Sequence, residues 1–478
     1  MARDTSPTFI IDAELKKNQV LTKHIEQQIE IARVIYNTAL GILVKRRKQM
    51  IRTKEYQRIA RQNRAVSEKL SLYKTKKDKK KIKQYEQEKA RLMDCFDELN
   101  KHFQLSQGDV EQLIKPVRAH FNNTFNSAFA QKIATRAWDT FYKLLTGKAK
   151  KVRFVPKGEM MSFEGKSNET GWTFDNGHIV YQQKEFALKI DEKDLYLQEA
   201  LSNVNNAVPF TYANKKGERK EDKYRVKFVR IAKRFIRGKH RYYAQLVCAG
   251  YPPPKRNRHT GEFKYPLGSG RGGIDIGTSS VAIATKTNVK LTNLGENIKK
   301  IDDVQRKIGN IQRQMDRSKR AMNPDYFNEN GTIKKGKKEW VFSKRYLKLK
   351  NKLKELHRKL ALYRKLSHQQ EANQLLMSAD QFYVENMNFK ALHKRAKETK
   401  ISEKTGKHTR KKRFGKSIAH RAPAMFISIL EKKVKNADGY FMKVKTHTFK
   451  ASQYDHISND YKKKKLKDRW HQFDDGTK

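Results

Sequence analysis

The amino-acid sequence predicts a multidomain α+β protein, and three observations lead to that class. With 478 residues, the chain is long enough for two to four domains and a sizeable core. Residues 17–149 repeat apolar side chains at helical spacing, whereas residues 150–250 alternate apolar and polar side chains as β-strands do. Beyond them, two short apolar β-runs are separated by long helical segments. We therefore expect a helical block, an antiparallel β domain, and a further domain that mixes strands with helices.

The balance of charge narrows the class of partner. The chain carries 107 Lys and Arg residues against 50 Asp and Glu residues, a formal net charge of +57. A compact body with this charge repels itself unless a polyanion neutralises it. Nucleic acid is therefore the expected partner, and an enzyme of small-molecule metabolism would not need such a charge.

Cysteine content and hydropathy indicate the compartment. Cys95 and Cys248 are far apart in the sequence and the chain has no CxxC pair, so neither a disulfide framework nor the thiols of a zinc ribbon are expected. The first residues, MARDTSPTF, form no apolar signal core, and no run of about 18 apolar residues occurs. We expect a protein of the reducing cytoplasm that has no membrane partner.

The first 149 residues predict one strand followed by helices. Thr8–Ile11 has the composition of a short strand, and a helix with one apolar face follows between Ile25 and Leu43. Residues 50–104 predict further helix rich in Lys and Glu, and a third helix is predicted over about 115–145. Its aromatic side chains fit core packing better than stacking on bases, although both interpretations are open: Phe121, Phe125, Phe129, Trp138 and Phe141.

The composition changes near residue 150 from helical to β spacing. Two alternating runs flank Asp175-Asn176-Gly177, which is a strong hairpin signal. A second hairpin is predicted over residues 231–247 around Gly238. A proline-rich linker then begins at Tyr251 and ends near Gly270. Residues 150–250 are therefore predicted to be mostly antiparallel β, with basic residues on the polar faces.

The segment Arg271–Thr285, RGGIDIGTSSVAIAT, predicts two short strands joined at Gly277. Asp275 lies within an apolar run, where a lone buried carboxylate is costly unless it is paired or binds a metal. Three interpretations are open from this segment alone. It is typical of the phosphate- and Mg²⁺-binding start of sugar kinases and actin-like ATPases, and also of the first strand of an RNase H-like nuclease such as RuvC. The third is an Asp that is hydrogen-bonded in a turn.

A second acidic residue ends another β-run farther along the chain. Helices are predicted over roughly 298–320 and 340–377, and the run FYV then leads to Glu385, which is 110 residues after Asp275. Two-metal phosphodiester hydrolysis needs carboxylates on rigid strands, because they bridge Mg²⁺ ions about 4 Å apart. Asp275 and Glu385 are therefore candidate catalytic residues and Mg²⁺ ligands.

These motifs together resemble a known family. GGIDIGTSSVAIAT, a helical insertion and FYVENMNFKAL resemble the first and second motifs of a split RuvC nuclease. The arrangement is similar to TnpB, the transposon-encoded RNA-guided nuclease, and to the compact type V CRISPR effectors. The resemblance covers roughly residues 270–478, and the earlier part is similar mainly in plan. That plan is an antiparallel β wedge domain with an inserted helical recognition block.

The resemblance implies a domain organisation, a function and its partners. The implied segments are the first part of the wedge (1–16), the recognition domain (17–149), the rest of the wedge (150–268), an RNase H-like, RuvC-like α/β nuclease domain (269–445) with its helical insertion (about 298–377), and a target-nucleic-acid-binding segment (446–478). The chain would bind a guide RNA and cleave complementary double-stranded DNA by Mg²⁺-dependent hydrolysis in a two-metal site, in the cytoplasm of a prokaryote at its nucleoid. Basic residues near the cleft would draw in the displaced single strand, and Arg413, Lys416 and Arg421 are the candidates.

Two departures from the family pattern modify these expectations. Thr446–Lys478 falls where the family often carries a Cys-based zinc ribbon, but it contains no Cys, so no zinc is expected. Its three histidines are more typical of surface or nucleic-acid contacts: His447, His456 and His471. The third acidic residue of the family, an Asp before a helix of small residues, is not evident. Either the sequence lacks a native C-terminal end, or the chain is a cleavage-deficient RNA-guided DNA-binding protein.

Overall fold

The computed structural model describes residues 6–122, 124–214, 217–286, 288–295, 300–394, 401, 414–445, 453–455, 457–462, 473 and 475–476. The chain divides into two compact units, Met1–Pro252 and Pro253–Lys478, called the N-terminal and C-terminal units below. Both contain helices and strands, so the predicted α+β class is confirmed at that level. None of the described helices combines the length and the apolarity that crossing a bilayer requires.

Helices in the N-terminal unit follow a first strand and precede the remaining strands. They are β1 (Thr8–Leu15), α1 (Gln19–Met50), α2 (Lys54–Lys76), α3 (Lys79–His102), α4 (Gln107–Ala119) and α5 (Ser127–Leu145). Polar side chains start these helices: the Asn18 side chain accepts the Leu21 amide of α1, and Ser106 forms a capping box with Asp109 at α4. These local caps fix where each helix begins.

The prediction of a single helix over about 115–145 was wrong, because the chain bends between α4 and α5. The Asn126 side chain accepts the Ala128 amide and begins a new helix there. Arg118 Nε donates to the Phe125 carbonyl at 2.7 Å and holds the bend. The helical spacing of the aromatic residues continues through the bend, so periodicity alone could not reveal it.

The strands of the N-terminal unit build one large antiparallel sheet and a separate hairpin. They are β2 (Ser162–Glu164), β3 (Thr173–Asp175), β4 (His178–Tyr181), β5 (Lys184–Lys189), then α6 (Leu195–Asn205), β6 (Pro209–Ala213), β7 (Arg219–Lys223), β8 (Arg225–Ile236) and β9 (Lys239–Ala249). Within the described residues, the sheet has the order β2-β8-β9-β1-β5-β4-β3, and β6 pairs with β7. The predicted turn at Asn176-Gly177 is confirmed, and both residues have positive φ, as a tight hairpin requires.

Aromatic side chains join α5 to this sheet. Phe125, Phe129 and Phe141 are fully buried, which confirms the core-packing interpretation for these three. The Phe129 ring lies 5.1 Å from the Phe163 ring and 5.7 Å from the Trp172 ring, centroid to centroid. Aromatic contacts of this kind contribute stability beyond the area that they bury. The bases of a nucleic acid therefore have no access to these side chains in the folded unit.

The C-terminal unit contains a mixed sheet interrupted by a long helical hairpin. Its elements are β10 (Arg271–Ile276), β11 (Ser280–Thr285), β12 (Val289–Asn293), α7 (Lys300–Ala321), a 3₁₀ turn (Pro324–Tyr326), α8 (Lys344–Leu376), β13 (Gln381–Glu385), α9 (Phe389–Leu392), α10 (Gly415–Arg421), α11 (Pro423–Asn436), β14 (Tyr440–Val444), β15 (Tyr454–Asp455) and β16 (Asp460–Tyr461). The predicted helices at 298–320 and 340–377 correspond to α7 and α8.

Sheet topology brings distant segments of the C-terminal unit together. The order of the described strands is β12-β11-β10-β13-β14, with β10, β11 and β12 antiparallel and β13 parallel to both β10 and β14. One face of the sheet packs against α8 and α11, through Ile274, Ile276, Phe382, Val384, Leu375, Phe426 and Leu430. A separate apolar cluster joins α7 to the middle of α8. The opposite face of the sheet carries the candidate site.

Candidate functional site

The two candidate acids end neighbouring strands. β10 and β13 are parallel, and Ile274 lies opposite Val384 in the register. Asp275 and Glu385 are the next residues along their strands, so they lie side by side at the same end of the sheet. Adjacent strands are separated by about 4.8 Å. Two carboxylates that are 110 residues apart in the sequence therefore lie close together in the fold.

Both side chains belong to the sheet face that points away from the core. Ile274 and Val384 are buried, whereas Asp275 is exposed and Glu385 is half-buried. Successive residues of a strand point to opposite faces, so the acids share the solvent side. The apolar run around Asp275 predicted a buried carboxylate, and that prediction was wrong. Its exposure removes the desolvation cost and leaves the carboxylate accessible to a cation or a nucleic-acid strand.

Small and apolar side chains flank the acids across the sheet. Ala282 pairs with Asp275 on one side, and Val444 pairs with Glu385 on the other. Gly273, one pleat earlier on β10, has no side chain at all. On the β13 side Tyr383 lies opposite Gly273, so the open approach to Asp275 is from the β11 side, where its neighbour is Ala282.

The chemistry of the two donors fits Mg²⁺. Carboxylate oxygens are hard ligands, and protein-bound Mg²⁺ commonly has one or two carboxylates while water and substrate phosphates fill its other positions. Within the residues that the structure describes, no group of three or more His, Cys, Asp or Glu side chains could hold a metal ion.

Helix α10 is attached to the loops beside these acids. Ser417 Oγ donates to the Thr278 carbonyl at 3.1 Å, in the turn directly after β10. Arg421 Nη1, one helical turn later, donates to the Leu294 carbonyl at 2.8 Å, just after β12. Residues four apart lie on one face of a helix, so α10 contacts the sheet loops with that face. The turn that follows Asp275 is thereby fixed from outside its own hairpin.

Helix α8 holds the C-terminal end of α10. Arg364 Nη1 donates to the Ala419 carbonyl at 2.6 Å, and His368 Nε2 donates to the Arg421 carbonyl at 2.9 Å. The last carbonyls of a helix have no partner within it, so these two side chains of α8 satisfy groups that would otherwise be unpaired. We call these four contacts, made by Arg364, His368, Ser417 and Arg421, the α10 clamp. Through α10 it links α8 to the turn after β10, which carries Asp275, and to the end of β12.

Of the three basic residues that were predicted to contact nucleic acid, the structure describes the side chain of one. Arg413 lies outside the described residues, as does the Lys416 side chain. Arg421 is half-buried and its guanidinium anchors α10, so a contact with nucleic acid stays a prediction for this residue. His447, His456 and His471 also lie outside the described residues. The other three clamp residues, Arg364, His368 and Ser417, were missed, although polar Ser367 and His368 interrupt the apolar face of α8 and could have signalled a buried polar contact.

Burial of His368 predicts a pH dependence of stability. His368 is 1 % exposed, and this burial, together with the nearby Arg364 cation, lowers the pKa of its imidazole below the ordinary value of 6.5. Below pH 6.5 the imidazole of His368 therefore becomes protonated in the unfolded chain while it is still neutral in the folded chain. The free energy of unfolding is at its full value above pH 6.5 and decreases as the pH falls through the folded pKa. We expect the melting temperature to fall between pH 7.5 and pH 5, and to fall less in His368→Gln.

An exposed histidine on the same helix provides the control for that measurement. His357 lies on α8 in solvent, so His357→Gln should leave the pH profile of the melting temperature unchanged. Identical profiles for wild type and His368→Gln would contradict the assignment of a buried neutral imidazole. Thermal melts followed by circular dichroism at several pH values are sufficient.

Two comparisons with known proteins assign no family to this chain. A scan against protein-family models finds no match for this chain, and a search of curated proteins finds no similar sequence. The functional conclusion therefore depends on the paired acids, the sheet that positions them and the charge of the chain.

Proposed function

We propose that this chain is an RNA-guided DNA endonuclease that hydrolyses phosphodiester bonds with Mg²⁺ bound by Asp275 and Glu385. The observation that carries the proposal is the register of β10 and β13, which brings the two acids together on one exposed face. The order of the motifs and the helical insertion between them resemble a split RuvC nuclease. The formal charge of +57 supports a nucleic-acid partner.

The architecture of each unit is compatible with this proposal. An RNase H-like core needs acidic residues at adjacent strand ends, and the mixed sheet of the C-terminal unit has them. In the N-terminal unit the chain leaves the antiparallel sheet after β1, forms α1 to α5, and returns to the same sheet at β2. That path supports a β wedge domain with an inserted helical recognition block.

The residues of this chain would divide the work as follows. Asp275 and Glu385 would hold Mg²⁺, which, when bound, stabilises negative charge on the phosphate and lowers the pKa of a bound water. Ala282 would leave the approach to Asp275 open on the β11 side, and the α10 clamp fixes the turn after β10. Basic surfaces would hold the guide RNA through its phosphates, and base pairing would select the DNA. The activity would be exercised in the cytoplasm, on nucleoid DNA.

Purification with bound RNA tests the proposal directly. RNA that co-purifies with the chain is sequenced, and DNA complementary to it is then offered with Mg²⁺ or with EDTA. We expect cleavage with Mg²⁺ and none with EDTA, because both acids need a divalent cation to act on a phosphodiester. Cleavage that survives EDTA, or the absence of any specific RNA, would refute the proposal. Guided binding without cleavage in Mg²⁺ would favour the alternative, a cleavage-deficient RNA-guided DNA-binding protein.

A further inference from the structure

The outer side of helix α7 carries a row of arginines. Apolar side chains on its inner side, Val304, Ile308 and Ile311, are buried in the cluster that joins α7 to α8. On the opposite side, four exposed arginines follow one another at intervals of seven, four and three residues: Arg306, Arg313, Arg317 and Arg320. These intervals return to one face of a helix with 3.6 residues per turn. We call these four residues the arginine row, and it extends about 21 Å along the helix axis.

Gly309 lies within this row. It follows Arg306 by three residues and precedes Arg313 by four residues, so the three positions share one face of the helix. Two shallow surface hollows, of about 490 and 460 Å³, meet at this glycine. Arg306 lines the first hollow, Arg317 lines the second, and Arg313 lines both. The arginine row therefore has a notch at Gly309, with an arginine on each side.

Neither packing nor backbone conformation requires a glycine at this position. Among the described residues, no atom beyond the neighbouring helical turns lies within 4 Å of a Cβ atom placed on Gly309. The residue lies inside the regular helix and does not have a positive φ. Glycine in the interior of a helix is less stable than alanine, because it loses more conformational freedom on folding. One use of a glycine is to let the backbone of a ligand approach closely, and the notch is open to such a ligand.

The acids near the row leave the notch positive. Asp303 pairs with Arg306, but both side chains are more than half exposed, and exposed pairs of this kind are weak. Asp316 lines one hollow, but Arg320 binds its carboxylate at 2.8 Å. Arg313 donates to a neutral amide side chain one turn earlier, so its charge is not cancelled by that contact.

The adjoining helix increases this positive charge. Residues 344–365 of α8, KRYLKLKNKLKELHRKLALYRK, contain ten Lys and Arg residues and one acid. Like charges four residues apart, such as Arg313 and Arg317 in α7 or Lys348 and Lys352 in α8, destabilise a helix. A polyanion that remains bound would remove this cost. In the proposed function the guide RNA remains bound, whereas the target DNA binds and leaves.

We propose that the sugar-phosphate backbone of the guide RNA crosses α7 at Gly309, and that Arg306 and Arg313 bind phosphates on either side of the crossing. Guanidinium groups match the geometry of phosphate oxygens and form two parallel hydrogen bonds with them. The missing side chain at Gly309 lets the RNA backbone come close to the helix. The inference rests on the guide RNA of the proposed function, and it does not depend on cleavage.

Substitutions that remove equal charge test the arginine row. The RNA that co-purifies with the chain is sequenced, synthesised and titrated onto the RNA-free chain at several salt concentrations. Arg306→Gln and Arg313→Gln should each reduce the slope of log affinity against log salt concentration by about one. Lys307 is exposed on the same helix but lies about 100° around its axis from Arg306, so Lys307→Gln should keep the wild-type slope. Equal slopes for Arg313→Gln and Lys307→Gln would overturn the inference.

Gly309 provides a second test, in which stability and binding change in opposite directions. Gly309→Ala and Gly309→Leu introduce better helix formers, so both variants should melt at or above the wild-type temperature. The Leu side chain would fill the notch and separate the arginines from the phosphates. Gly309→Leu should therefore weaken RNA binding at least about tenfold, and Gly309→Ala less. Wild-type RNA affinity in Gly309→Leu would contradict a close approach of the RNA backbone.

Target DNA is the alternative occupant of the notch. Gly309→Leu is saturated with guide RNA and then titrated with complementary DNA. Unchanged RNA affinity together with weaker DNA binding would overturn the assignment to guide RNA. That result would leave guided cleavage by the wild-type chain in place, whereas the absence of any specific RNA from the purified chain would refute the proposed function itself. The two proposals therefore fail in distinguishable ways.

Discussion

Replacing Asp275 by Asn should lower the rate of Mg²⁺-dependent DNA cleavage at least about a thousandfold and leave RNA binding unchanged. The amide keeps the shape of the side chain and removes the charge that holds the cation. Glu385→Gln should have a similar effect, because both carboxylates lie at the ends of neighbouring strands and would serve one site in the proposed nuclease. Groups that act as a unit are not additive, so the double variant should be little worse than either single one. Single-turnover cleavage of guided DNA measures each rate.

Stability separates this loss of chemistry from loss of fold. Two carboxylates beside each other on adjacent strands repel when no cation is bound. Asp275→Asn should therefore melt at the wild-type temperature or slightly above it in EDTA. Asp325, an exposed acid of the same unit, provides the matched control, and Asp325→Asn should cut normally. Wild-type cleavage by Asp275→Asn would remove the nuclease proposal, whereas slow cleavage with a lowered melting temperature would indicate a misfolded variant.

Local patterns in the sequence were sufficient to predict most elements. The β10–β11 hairpin, the turn at Asn176-Gly177 and helices α7 and α8 follow from alternation, turn chemistry and apolar periodicity. The same alternation should have shown that Asp275 faces solvent, since Ile274 and Ile276 on either side of it are both buried. The apolar composition of this run favours burial, but its period of two places Asp275 on the face opposite to the buried isoleucines.

The local sequence patterns do not predict which distant segments of the chain pair with each other. Nothing in the two motifs themselves requires β13 to lie beside β10, and without that pairing the two acids need not meet. The α10 clamp is also hidden from periodicity, because its acceptors are backbone carbonyls that any residue could supply. His368, for example, donates to a carbonyl 53 residues away. Such contacts depend on how the elements pack, and only the folded structure reveals them.

Phe129→Ala should lower the free energy of unfolding of the N-terminal unit by about 3–5 kcal/mol. The Phe129 side chain is fully buried and touches Phe163, Trp172 and Tyr181, so truncation leaves a cavity among aromatic rings that cannot collapse freely. Tyr142 lies on the same helix and is 46 % exposed, so Tyr142→Ala should cost less than about 1 kcal/mol. Urea unfolding followed by circular dichroism measures both. Weaker nucleic-acid binding by a fully stable Phe129→Ala variant would restore the base-stacking interpretation.

A second substitution shows whether the cost arises from packing around this ring. A Cβ atom at Gly171 would lie 2.3 Å from Phe129 Cε1, so Gly171→Ala should destabilise the wild-type unit strongly. In the Phe129→Ala background the ring is gone, and the same change should cost only the strain of a side chain at φ +99°. The two substitutions should therefore be less harmful together than their separate effects predict. Additive losses would mean that Gly171 and Phe129 act through different parts of the core.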